Sequence, residues 1–126
     1  MRLFQKREER RAQDARADGE IARLKALSTE ELAIAVMPGF GRDGANAGRS
    51  VRVQQLCEYL LRDCAGAGRS KPLNLLAPVR RAVELLEQAG LVRSASYDRS
   101  PLWHLTPLGE TTLTDGTVAE RIGRSQ

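Results

Sequence analysis

Histidine and cysteine are nearly missing from this sequence, which has one His and two Cys in 126 residues. That shortage excludes most site chemistry. Cys57 and Cys64 have no third cysteine to join them, and His104 stands far along the chain, so a zinc site lacks ligands. Both cysteines are expected as reduced core thiols. No Ser-His-Asp or Cys-His pair is in prospect, and a small core leaves no room for a substrate pocket, so no catalytic residue, metal or cofactor is expected and the chain does not read as an enzyme. Long apolar runs are missing as well: none approaches the roughly 20 residues of a membrane helix. The leading MRLFQKREERRAQD is basic but is followed by charges, not by an apolar segment, so neither a signal peptide nor a membrane association is expected. These absences point to a cytoplasmic protein, long enough for one domain plus an arm and too short for two ordinary domains.

What is present is positive charge, unevenly placed. The net charge is +4, and arginine supplies 17 of the 20 basic residues. Basic residues exceed acidic ones by three over positions 1–27 and by five over 42–81, whereas the chain beyond 81 is net acidic. A local surplus of this kind is the footprint of a nucleic-acid-facing surface. The plainer alternative is that abundant arginine reflects coding composition. Glycine offers a false lead: Gly39, Gly41 and Gly44 spell G-x-G-x-x-G. A dinucleotide fingerprint needs a strand before the glycines and a helix after them. Here a helix leads in and more loop leads out, so nucleotide binding is not expected.

Residues 3–27 read as a helical arm, rich in alanine, free of proline, and carrying opposite charges at Glu8/Arg11, Arg16/Glu20 and Glu20/Arg23. Its apolar stripe is narrow, Ala17, Ile21, Leu24 and Leu27, and a homodimer through residues 17–27 is the expected use of that stripe unless it folds back on its own domain. Ser28-Thr29-Glu30-Glu31 spells a capping box for a short helix stopped by Pro38-Gly39. An extended Ser50–Val53 runs into a helix with apolar positions Val53, Leu56, Cys57, Leu60 and Leu61. After the glycine-rich RDCAGAGRSKP, a helix is expected from about Asn74, its N-cap, to Ala89, with Leu75, Leu76, Val79, Ala82, Val83, Leu86 and Ala89 as its stripe. Gly90 serves as a left-handed C-cap, and Leu91-Val92 open a strand. A turn at YDRSP leads to Leu102–Leu105, where alternation puts Trp103 and Leu105 inward and His104 outward. Thr106-Pro107 opens the last helix, to about Leu113, and the polar residues from Asp115 read as loose.

The joint AVELLEQAGLV followed by WHLTPLGE resembles the core of winged helix-turn-helix domains such as those of MarR-type and PadR-type bacterial transcription regulators. The resemblance covers roughly residues 28–114 and implies an α+β fold, mainly α with a small β-hairpin, preceded by a helical arm over 1–27 and followed by a flexible tail over 115–126. It implies sequence-specific binding of double-stranded DNA, with the helix at 74–89 in the major groove and a wing at 93–102 on the backbone or minor groove. The expected base readers are Asn74 and Arg81, with Arg80 at their flank, because Asn pairs with adenine and Arg with guanine. Arg69, Lys71, Arg80, Arg93 and Arg99 suit phosphates. The sequence departs from the pattern at 62–73, where the turn is longer than a helix-turn-helix requires. The competing expectation is a winged helix that contacts protein and not DNA.

Overall fold

The computed structural model describes residues 2–40, 50–64, 71–94 and 102–125. Its elements are α1 (Arg2–Lys25), α2 (Thr29–Val36), α3 (Val53–Leu60), α4 (Leu76–Gln88), β1 (Val92–Ser94), β2 (Trp103–Leu105), α5 (Pro107–Asp115) and α6 (Val118–Ser125). Two 3₁₀ turns, Met37–Phe40 and Lys71–Leu75, follow α2 and precede α4. The capping box forms as its spacing dictates: Glu31 N–H donates to Ser28 Oγ at 3.1 Å and Ser28 N–H donates to Glu31 Oε1 at 3.2 Å. The Ser28 backbone bond holds the Glu31 carboxyl below the usual carboxylate range. Among the described residues no helix is long and apolar enough to cross a membrane.

One core joins all the helices. Leu32, Ala33 and Val36 of α2, Leu56 and Cys57 of α3, and Val79, Ala82, Val83 and Leu86 of α4 are buried in it, and α2 against α4 is the most extensive contact. Two expectations change here. The arm's stripe is covered by its own chain: Ala17, Ile21 and Leu24 are 0%, 7% and 1% exposed, and α1 packs on the 3₁₀ turn Lys71–Leu75. A homodimer through residues 17–27 therefore loses the exposed apolar surface that motivated it. The tail expected to be loose forms α6 beyond Gly116, whose φ of 71° ends α5. Val118 and Ile122, one turn apart, bury themselves against α2, α4 and α5, which offsets the polar composition around them.

The hairpin pairs β1 with β2 antiparallel, in the register Val92 with Leu105, Arg93 with His104, and Ser94 with Trp103. On the other side of Trp103 lies Val51, whose N–H and C=O both bond to Trp103 at 2.7 Å. The extended segment expected at Ser50–Val53 is thus a one-residue bridge leading into α3. Trp103 sits between two neighbours and is 6% exposed. The result is α+β and mainly helical, in the element order of a winged helix-turn-helix with an N-terminal helical arm.

The junction of α4 and the hairpin explains both quoted sequence signatures. Gly90 has φ 79°, its N–H donates to Glu87 O at 2.9 Å, and Leu91 N–H donates to Leu86 O at 3.0 Å, the two bonds of a Schellman cap. Thr106 then stitches this cap to α5. Its hydroxyl donates to Gly90 O at 2.6 Å and accepts from Gly109 N–H at 3.0 Å, while its own N–H donates to Leu91 O at 3.0 Å. Gly109 must be glycine because a Cβ there would collide with the Leu91 carbonyl oxygen. Gly39 is explained by close approach too, since a Cβ would meet the Tyr59 ring at 3.0 Å. Its partners in the G-x-G-x-x-G string, Gly41 and Gly44, lie outside the described residues.

Candidate nucleic-acid interface

α4 is a helix with one face given wholly to the core. Leu75, Val79, Ala82, Val83 and Leu86 are all 0% exposed, whereas Ala77, Arg80, Arg81, Glu84, Glu87 and Gln88 are exposed. Pro78 falls in the first turn, where its missing N–H has no intrahelical acceptor to lose. The expected outer face of Asn74, Ala77, Arg81, Glu84 and Gln88, with Arg80 beside it, is the exposed one.

The start of the helix differs from expectation. Asn74 is not its N-cap: α4 begins at Leu76, Leu75 precedes it without a side-chain cap, and Asn74 Nδ2 donates to Lys71 O at 3.1 Å inside the 3₁₀ turn. Helical geometry begins at Lys71 in that tighter turn, which satisfies Asn74 locally. The shift also turns Leu76, expected in the core stripe, outward to 37% exposed.

The predicted contact residues are placed as follows. Arg80 is exposed, with Nε 3.6 Å from Glu84 Oε1, a long and solvated pair worth little. Arg81 is exposed one residue on and has no ion pair among the described residues. Lys71 is engaged: its Nζ lies 2.9 Å from Asp18 Oδ1, which ties α1 to the 3₁₀ turn and competes with any phosphate role. Arg93 is exposed on β1, on the strand face it shares with His104. Arg69 and Arg99 lie outside the described residues. Arg80 and Arg81 thus stand exposed on α4, Asn74 stands exposed in the 3₁₀ turn before it, and Arg93 is on the hairpin.

Two features escape a reading by pattern. Leu73 and Leu76, at the leading end of α4, are 43% and 37% exposed. Their sequence signal is the crowding of Leu73, Leu75 and Leu76, too many leucines for one stripe at helical spacing. Arg62 is the second: its guanidinium lies 4.0 Å from the Tyr59 ring centroid and Nη1 donates to Tyr59 O at 2.8 Å, which fixes a cation at the end of α3. Among the described residues no three His, Cys, Asp or Glu side chains converge to hold a metal ion. Burial pushes the Cys57 thiol up to about 12.

No family model, curated protein or solved structure matches the chain.

Proposed function

We propose that this chain binds double-stranded DNA sequence-specifically, as a transcription regulator of the MarR or PadR kind would, and works in the cytoplasm. The N-terminal half of α4 enters the major groove and the hairpin lies along the backbone or minor groove. The observation that carries this reading is Arg81 beside Arg80 on the exposed face of a helix whose opposite face is wholly buried. A rigid helix presenting guanidinium groups matches the O6 and N7 acceptors of guanine. Entry by the N-terminal half keeps Glu87 away from the phosphates, whereas Glu84, 3.6 Å from Arg80, stays beside the contact and competes for that guanidinium. Assembly through residues 17–27 forms no part of the proposal, because that stripe is used internally.

Competition binding against shuffled duplexes tests it with two variants. Arg81→Ala should cost roughly 1–3 kcal/mol on the preferred site and relax preference at one base pair. Arg93→Ala should weaken all sequences alike and flatten the log–log salt slope by about one unit, as a phosphate contact does. Equal affinity of the wild-type chain for preferred and shuffled duplexes overturns the sequence-specific reading. A protein-contact module is the second reading, in which the exposed Leu73 and Leu76 would meet an apolar partner surface in place of a base edge.

A further inference from the structure

Three large apolar side chains stay exposed among the described residues, Ile34, Leu73 and Leu76, and two of them stand together where α4 begins. Their spacing is informative. Along α4, Leu76 is followed one turn later by Arg80 and Ala77 by Arg81, two neighbouring rows of exposed residues, with the exposed Leu73 and Asn74 before them in the 3₁₀ turn. Each row has small or apolar groups in its first turn and a guanidinium one turn later. The leucines are not spared from core duty by accident of supply, since Leu75, Val79 and Val83 already fill the buried side at 0% exposure.

The major groove offers one apolar group on its base edges, the C5-methyl of thymine. Asn74, the residue type suited to adenine, is tied by its amide to the Lys71 carbonyl behind it. That exposed bond takes one of the two amide N–H groups, and the apolar side chains beside it suit the thymine edge of an A·T pair. We infer that Leu73 and Leu76 read thymine methyl groups, next to a guanine read from the arginine pair. Flanking cations fit this occupant, because Arg80 and Arg81 border the apolar patch with positive charge. The inference rests on the DNA-binding reading of α4, and it adds what that reading leaves open: a preferred site with thymines adjoining a G·C pair.

Deoxyuridine separates the two claims, because it keeps every hydrogen bond of thymine and lacks only the methyl. A preferred duplex is first selected from a random pool with the full chain, and its thymines are replaced singly by deoxyuridine. Replacement at the positions facing Leu73 and Leu76 should weaken binding about fourfold per methyl, the equivalent of ~0.8 kcal/mol. Leu73→Gln and Leu76→Gln, both at exposed positions and checked for unchanged helicity by circular dichroism, should bind thymine and deoxyuridine duplexes alike while keeping the wild-type salt slope. Salt-sensitive, sequence-selective binding that is indifferent to the methyl at every position overturns the inference and leaves the DNA reading standing. Absence of salt-sensitive duplex binding overturns both, and leaves the leucine pair to a protein contact.

Discussion

At the residue scale, two glycines hold the hairpin to α4 for different reasons. Gly90 is required by its φ of 79°, with only ordinary contact near the space a Cβ would fill, so Gly90→Val should destabilise the domain by about 1 kcal/mol or more. Gly109 is required by space: its Cβ would press into the backbone oxygen of Leu91, which cannot rotate away, so Gly109→Ala should cost roughly 1–3 kcal/mol and loosen the hairpin. Urea midpoints followed by the fluorescence of Trp103, the single tryptophan, measure both. An unchanged midpoint in Gly109→Ala would contradict the close approach. Cys57 gives a third check. Its folded pKa is raised to about 12, so the fold favours the neutral thiol, and that contribution is complete below the ordinary thiol range and lost as pH climbs toward the folded value. In the native chain at mildly alkaline pH, half-buried Cys64 should be alkylated while Cys57 stays protected until urea unfolds it.

At the scale of elements, the second half of α1 is seated in the core through Ala17, Ile21 and Leu24. Leu24→Ala should cost roughly 2–5 kcal/mol, because Leu24 is 1% exposed, and the variant should sediment as the wild type does. A change of association state at unchanged melting temperature would restore the intermolecular role first expected of the stripe. Gly19 gives the opposite sign: it lies inside α1 with nothing within 4 Å of a Cβ, so Gly19→Ala should raise stability by about 1 kcal/mol in thermal melts. The elements themselves were mostly legible. The capping box at Ser28, the Gly90 cap, the inward Trp103 and the Thr106-Pro107 start of α5 are local devices whose side chains act within a few residues, and so they stand in the sequence. Three features were not legible, because each depends on a distant partner or on helical phase. The burial of Ala17, Ile21 and Leu24 needs the 3₁₀ turn at Lys71, the ordering of α6 needs α2 and α4 to cover Val118 and Ile122, and the outward turn of Leu76 needs a helix that begins two residues past Asn74. Of the candidate interface, Arg80 and Arg81 were legible as exposed cations from the period of α4. Lys71 was not, since its partner Asp18 is 53 residues away.

At the scale of the whole molecule, the charge surplus of residues 42–81 and the acidic balance beyond them divide the chain electrostatically. The exposed Arg80 and Arg81 belong to the basic part, and α5 and α6, which carry Glu110, Asp115 and Glu120, to the acidic one. A duplex approaching the basic part releases its condensed counterions, and affinity must then fall linearly with the logarithm of salt concentration. A protein ligand held by Leu73 and Leu76 would instead depend mainly on buried apolar area and respond weakly to salt. The most direct test is fluorescence anisotropy of a labelled mixed-sequence duplex, titrated with the full chain between about 50 and 200 mM salt. The account predicts saturable binding at low salt that weakens steeply and linearly on log–log axes, with a shallower slope for the Arg80→Ala, Arg93→Ala double variant. No binding at the lowest salt, or binding whose affinity stays level across the range, would contradict it.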